Sequence, residues 1–180
     1  MSEIDDFASG LLEEAKRFLE MSKLCEVDEG VIAFRHAAIL TGFCALEAHI
    51  NSMADEFVQG GGLRVHEEGL LSERKVRLKD GQFVLTDSLE MSRLEDRILF
   101  LHRRFSGKPL DRDSSWWCEL GASTKLRNQL THPKSVTVLS DRDVERSLQA
   151  IIDTINAMFL AIYKRPLPVA ARGLQSKMTF

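Results

Sequence analysis

From Asp141 to Tyr163 the apolar residues return every three or four positions. Val144, Leu148, Ile151, Ile152, Ile155, Met158, Phe159 and Ile162 form one stripe along a helix of this length. A stripe that wide has to be covered by other elements, and the rest of the chain supplies mostly helices. Residues 4–25 repeat the spacing with Ile4, Phe7, Leu11, Leu12, Ala15, Phe18, Leu19 and Leu24. A second helix, with Asp28 as its expected cap, carries Val31, Ile32, Ile39, Phe43, Leu46, Ile50, Met53 and Phe57. It stops at Gly60-Gly61-Gly62, where a helix is costly to hold.

Residues 63–86 break the pattern. Val76, Leu78, Phe83 and Leu85 alternate around Asp80-Gly81, a hairpin signal. Asp87 with Glu90 three residues on fits a capping box for a third helix ending near Phe105. A polar loop, Ser106 to Asp113, precedes a fourth helix carrying Trp116, Trp117, Leu120, Leu126 and Leu130. That helix ends near His132, because Pro133 disfavours helical geometry in the residue before it. The expected fold class is all-α: a bundle of about five helices with a small β-hairpin insertion. One domain spans 1–163, and the Pro- and Gly-containing tail 164–180 is expected to be loosely ordered.

Charge narrows the function. With 180 residues, a net charge of −3 and a pI near 6.0, the whole molecule is no general trap for polyanions, so contact with nucleic acid needs a local patch. The strongest basic cluster is His102-Arg103-Arg104-Phe105-Ser106-Gly107-Lys108. Arg103, Arg104 and Lys108 are the candidate RNA-phosphate contacts; a solvated helix end is the plainer alternative. Cys25, Cys44 and Cys118 are odd in number and without a CxxC, so neither a metal site nor a disulfide framework is expected. Cys25 and Cys44 read as small packed hydrophobes. The acidic start, Met1-Ser2-Glu3-Ile4-Asp5-Asp6, has no signal-peptide character, no apolar run approaches spanning length, and the cytoplasm is the expected location.

The segment that carries chemistry is Arg127-Asn128-Gln129-Leu130-Thr131-His132. Arginine is permanently charged and its planar fork matches phosphate oxygens. Histidine exchanges a proton near neutral pH. Asn128 and His132 are four apart and share a helix face. Arg127 and His132 are five apart, about 140° round the helix, so a second copy of the segment across a two-fold axis completes a cleft more easily than one copy. The plain alternative is a helix end whose cations satisfy carbonyls. Trp116 and Trp117 point about 100° apart, so one is expected in the core and the other at a boundary. His49 is expected to be exposed, and Asn51 to be a buried polar tie between helices.

Arg127-Asn128-xxx-His132 resembles the R-[NDH]-xxx-H motif of the HEPN superfamily, the higher eukaryote and prokaryote nucleotide-binding domains. Phe43-Cys44-Ala45-Leu46-Glu47-Ala48-His49-Ile50-Asn51 is similar to the Glu- and Asn-containing second helix of many prokaryotic members. The resemblance implies a homodimer with the two motifs facing each other. It also implies a metal-independent endoribonuclease that uses no cofactor, often a toxin or defence effector. A cognate antitoxin or nucleotidyltransferase is then the expected partner. His132 would transfer protons, Arg127 would stabilise the phosphate, and Asn128 would orient. Glu47 joins the candidate catalytic set as a partner of Arg127, with a simple surface ion pair as its alternative. Some members of the superfamily are non-catalytic modules that bind RNA or protein.

Overall fold

The computed structural model describes residues 3–180; Met1 and Ser2, the start of the acidic N-terminus, lie outside them. The chain runs α1 (Glu3–Leu24), α2 (Asp28–Gly60), α3 (Val65–Ser72), β1 (Arg74–Lys79), β2 (Gln82–Leu89), α4 (Leu94–Ser106), α5 (Ser115–Thr131), α6 (Asp141–Tyr163) and a 3-10 turn (Pro168–Arg172). The described residues are therefore mostly helical, with one small antiparallel sheet.

Helix α6 is the centre. Val144, Leu148, Ile151, Ile152, Ile155 and Met158 are buried, as the stripe requires. Its start is fixed by Ser140, whose hydroxyl accepts from the Asp143 N–H while the Asp143 carboxylate accepts from the Ser140 N–H at 2.9 Å. Helix α2 lies beside α6 and runs in the same direction. Arg35 bonds Asp141 at 2.8 Å near one end, and the Tyr163 hydroxyl donates to Glu56 at 2.6 Å near the other. Gly42 marks their closest approach: a Cβ there would stand 2.6 Å from a Leu148 methyl and 3.1 Å from one of Ile151. Helix α1 folds back antiparallel on α2, with Ala8, Leu12, Ala15 and Leu19 buried, while Phe7 at the edge of the expected stripe is exposed.

The hairpin pairs as its alternation implies, Val76 opposite Leu85 and Leu78 opposite Phe83. Asp80 and Gly81 both take positive φ, the geometry a two-residue primed turn needs. Two readings here need correcting. Val65–Ser72 is a sixth helix, too short for its periodicity to show in the sequence. Asp87 does not cap a helix: β2 continues to Leu89, and Glu73 holds the chain beyond it through the Glu90 N–H at 2.8 Å and the Ser92 N–H at 3.2 Å. Helix α4 starts only at Leu94.

Other expectations also change. Asp28 sits in the first turn of α2 and makes no side-chain cap. Cys44 is exposed and Cys25 half-buried, so neither is a core residue. Trp116 and Trp117 are both half-buried, edge to face at 5.8 Å. An 18-residue window of α2, with a mean hydropathy of 1.4, is long and apolar enough to cross a membrane by composition; its buried face packs inside the bundle.

The tail is bound rather than loose. Leu167 is buried, and Arg172, the Lys177 N–H and Ser176 all engage Glu13. Glu13 and Lys16, paired at 3.2 Å, have fully buried side chains beneath it. Burial alone would raise the Glu13 carboxyl; the Lys177 N–H, Arg172 and Lys16 outweigh it and hold the pKa below the usual range. The sequence hides this because the partners are more than 150 residues apart.

Candidate active site

Pro133 ends α5 as expected. His132 leaves helical geometry, at φ −131° and ψ 62°, while its N–H still donates to the Asn128 carbonyl at 2.9 Å. The Thr131 hydroxyl donates to the carbonyls of Arg127 and Asn128, at 3.2 and 3.4 Å. The last turn is thus tied to itself, and the side chains of Asn128 and His132 stay exposed. Together with Lys125, Gln129, Lys134, Ser135 and Thr137 they line a shallow, open depression of about 440 Å³. Lys125 and Lys134 are the cations that sequence reasoning missed here. Their only signal was proximity to the motif.

Arg127 lies on another side of the helix. Its guanidinium sits over the Phe43 ring, 5.1 Å from the centroid. One terminal nitrogen is 3.7 Å from a Glu47 carboxylate oxygen, an ion pair too long to be a hydrogen bond. Its Nε is buried and has no hydrogen-bond partner. Arg127 is three-quarters buried and Glu47 about half, so the pair forms at the surface of the bundle rather than in its core. Arg127 and Glu47 are therefore brought together, as are Asn128 and His132. The 140° between Arg127 and His132 keeps the two pairs apart within one chain.

A second arginine bears on Glu47. Arg97 of α4 is nearly buried; it donates to the Leu71 carbonyl at 3.0 Å and pairs with Glu73 at 3.5 Å. Burial lowers its pKa, and the nearby carboxylates of Glu73 and Glu47 oppose that shift. The sequence signal was an arginine on the apolar stripe formed by Leu94, Ile98 and Leu101. Cys44, one turn from Glu47, has its thiol pKa raised by burial and by the Glu47 charge, with Arg127 opposing. Such a thiol is a poor nucleophile.

The basic cluster is elsewhere. Phe105 stacks on Phe57, ten residues along α2 from Glu47, or about 15 Å. Arg104 reaches further, to the Gly62 carbonyl at 3.4 Å and Glu67 at 3.7 Å. Arg103 and Lys108 are exposed. These residues do not meet Arg127.

Two flanking expectations are corrected. His49 is buried, because it lies three residues after Leu46 and four before Met53, on the apolar face of α2. Asn51 is exposed, on the opposite face, and ties no helices together. Among the described residues, no group of three or more His, Cys, Asp or Glu side chains is arranged to hold a metal ion. No family model, curated protein or solved structure matches the chain.

Proposed function

We propose that this protein is a HEPN-type, metal-independent endoribonuclease acting as a homodimer, with RNA as its substrate. The observation that carries the reading is the accessibility of the motif. His132 and Asn128 face an open depression flanked by Lys125 and Lys134, a setting that suits a phosphodiester. A helix cap alone does not require that cleft. Arg127 is held by one aromatic face and one long ion pair, so a phosphate can replace Glu47 at little cost.

The chemistry then divides between two copies. His132 of one chain takes the proton from the ribose 2′-hydroxyl as that oxygen attacks the adjacent phosphorus. Arg127 stabilises the negative charge on the phosphorane. The P–O5′ bond breaks, leaving a 2′,3′-cyclic phosphate and a 5′-hydroxyl after the leaving oxygen takes a proton. Asn128 orients the imidazole. Arg103, Arg104 and Lys108 extend the contact along a longer RNA. In this reading the protein works in the cytoplasm as a toxin or defence effector, restrained by an antitoxin or a nucleotidyltransferase, and needs neither membrane nor cofactor.

The test is direct. Purified protein is incubated with a labelled RNA in EDTA, and its mass is measured by light scattering. Fragments ending in cyclic phosphate, from a particle of twice 20.4 kDa, support the proposal. Cleavage that vanishes in EDTA and returns with magnesium overturns the mechanism. RNA binding without cleavage by the dimer reassigns the chain to the non-catalytic HEPN-like modules. The divergence of Arg127 and His132 within one chain favours that second reading.

A further inference from the structure

The largest cavity in the molecule is not at the motif. About 910 Å³ lies between the start of α1, the second half of α2, the end of α6 and the segment that follows it. That volume is in the range that holds a small organic ligand. Its floor and its rim differ in chemistry.

At the floor is His49, only 2% exposed, with Phe159 edge-on at 6.2 Å. Its Nε2 is buried and has no hydrogen-bond partner. A buried polar nitrogen left unpaired costs roughly 1–3 kcal/mol, so its persistence at the wall of a cavity points to a partner that enters from outside. Burial pushes the His49 pKa down to about 4, against a small opposing pull from Asp5, so the ring is neutral at pH 7. The floor therefore offers one neutral hydrogen-bonding nitrogen among apolar walls that include Met53 and Leu167.

The rim is acidic. Asp5, Asp6, Asp55 and Glu56 all line it, against Arg165 and Lys177 as the only cations lining the cavity. Asp5 accepts from Ser52 at 2.5 Å, Asp55 from Gln59 at 2.6 Å and Glu56 from Tyr163 at 2.6 Å, so these carboxylates are held in place and ionised acceptor capacity remains. His49 and Glu56 are seven residues apart on α2, two turns, or about 10 Å. Phe159 and Tyr163 stand one turn apart on α6 between floor and rim, their rings 5.3 Å from each other.

We propose that this cavity binds an organic ammonium: a cationic head at the Asp6, Asp55 and Glu56 rim, an apolar body along Phe159 and Tyr163, and a hydroxyl or carbonyl at the far end paired with His49 Nε2. Four carboxylates against two cations select positive charge over negative, and the aromatic wall adds a cation–π surface. The site is separate from Arg127 and His132 and stands whether or not the chain cleaves RNA.

Calorimetry on the full chain at neutral pH tests this with four probes of similar size. Tyramine carries both groups, 2-phenylethylamine lacks the hydroxyl, 4-ethylphenol lacks the ammonium, and tyrosine adds a carboxylate. Tyramine is expected to bind with a Kd below about 1 mM. 2-Phenylethylamine should bind severalfold more weakly and 4-ethylphenol about tenfold more weakly. Asp6→Asn with Asp55→Asn, both at exposed positions, should weaken tyramine about tenfold and leave 4-ethylphenol unchanged. His49→Leu should erase the preference for tyramine over 2-phenylethylamine; if that variant does not fold, the rim variants decide. Absence of tyramine binding at low millimolar concentration overturns the proposal. So does tyrosine or 4-ethylphenol binding as tightly as tyramine, or rim variants that leave tyramine unaffected.

Discussion

Helices α5 and α6 pack on each other, yet they are built for different tasks. Of the 23 residues of α6, nine are buried, and they form the axis of the bundle. Of the 17 residues of α5, only Leu120 and Ser123 are buried. Leu126, Leu130, Trp116 and Trp117 are half-covered. A helix with so little burial contributes little to stability and leaves its polar face open. The contrast separates the residues that hold the fold from those that are free to act, and it places Arg127, Asn128 and His132 in the second group.

The comparison can be broken from either side, and the α5 motif should give the largest effects. His132→Ala and Arg127→Ala are each expected to slow RNA cleavage by about 10²–10⁴-fold. Their melting temperatures should stay within a few degrees of wild type, because neither side chain is in the core. Gel assays on labelled RNA, with circular dichroism melts alongside, read both quantities. Wild-type rates in both variants would make the motif structural. Early melting in both would move α5 into the same class as α6.

On α6 the expected pattern is the reverse. Ile151→Ala should cost about 2–5 kcal/mol in urea unfolding, with cleavage per folded molecule unchanged. A cost below about 1 kcal/mol would mean the stripe is not the axis of the core.

Acid should expose the α2–α6 contact at His49. Its folded pKa is about 4 and its unfolded value 6.5, so the unfolded chain binds more protons between those limits. Stability tied to His49 is then complete above pH 6.5 and lost as the pH falls towards 4, on the order of 3 kcal/mol in all. Urea midpoints at pH 7, 5.5 and 4.5 should fall steadily in the wild type, and less steeply in His49→Leu. Parallel slopes in the two proteins would show that His49 is already charged or not buried.

The smallest effect is expected at the α6 cap. Ser140→Ala removes the acceptor for the Asp143 N–H and should cost about 1 kcal/mol. A loss several times larger would mean that the loop before α6, and with it the depression beside His132, depends on the cap.

The α6 helix was legible down to its ends, because its stripe is continuous and buried. Arg127 and Glu47 were legible as a pair because each stands on an exposed helical face, where residue type is not dictated by packing. His49 was misread because its polar nature outweighed its place between Leu46 and Met53. Val65–Ser72 was missed because two turns are too few to establish a period, and Gly69 within them reads as a breaker. There the structure needs a missing side chain: a Cβ on Gly69 would stand 2.6 Å from a Val76 methyl of the hairpin folded against it. The tail and the cavity were invisible for a different reason. Both are made by residues from opposite ends of the chain, and no local pattern records such a meeting.

The clasp on Glu13 orders events in time as well as in space. A ribosome makes Glu13 and Lys16 at the outset and makes Arg172, Ser176 and Lys177 last. At about 5–20 residues per second, the two charges wait roughly 8–30 seconds for the groups that seal them from water. During that interval α1 and α2 can pair through their apolar faces, but the outer flank of α1 stays hydrated. The nascent protein therefore carries one unfinished surface until synthesis is nearly over, and its closure marks the moment when the first helix becomes fully native.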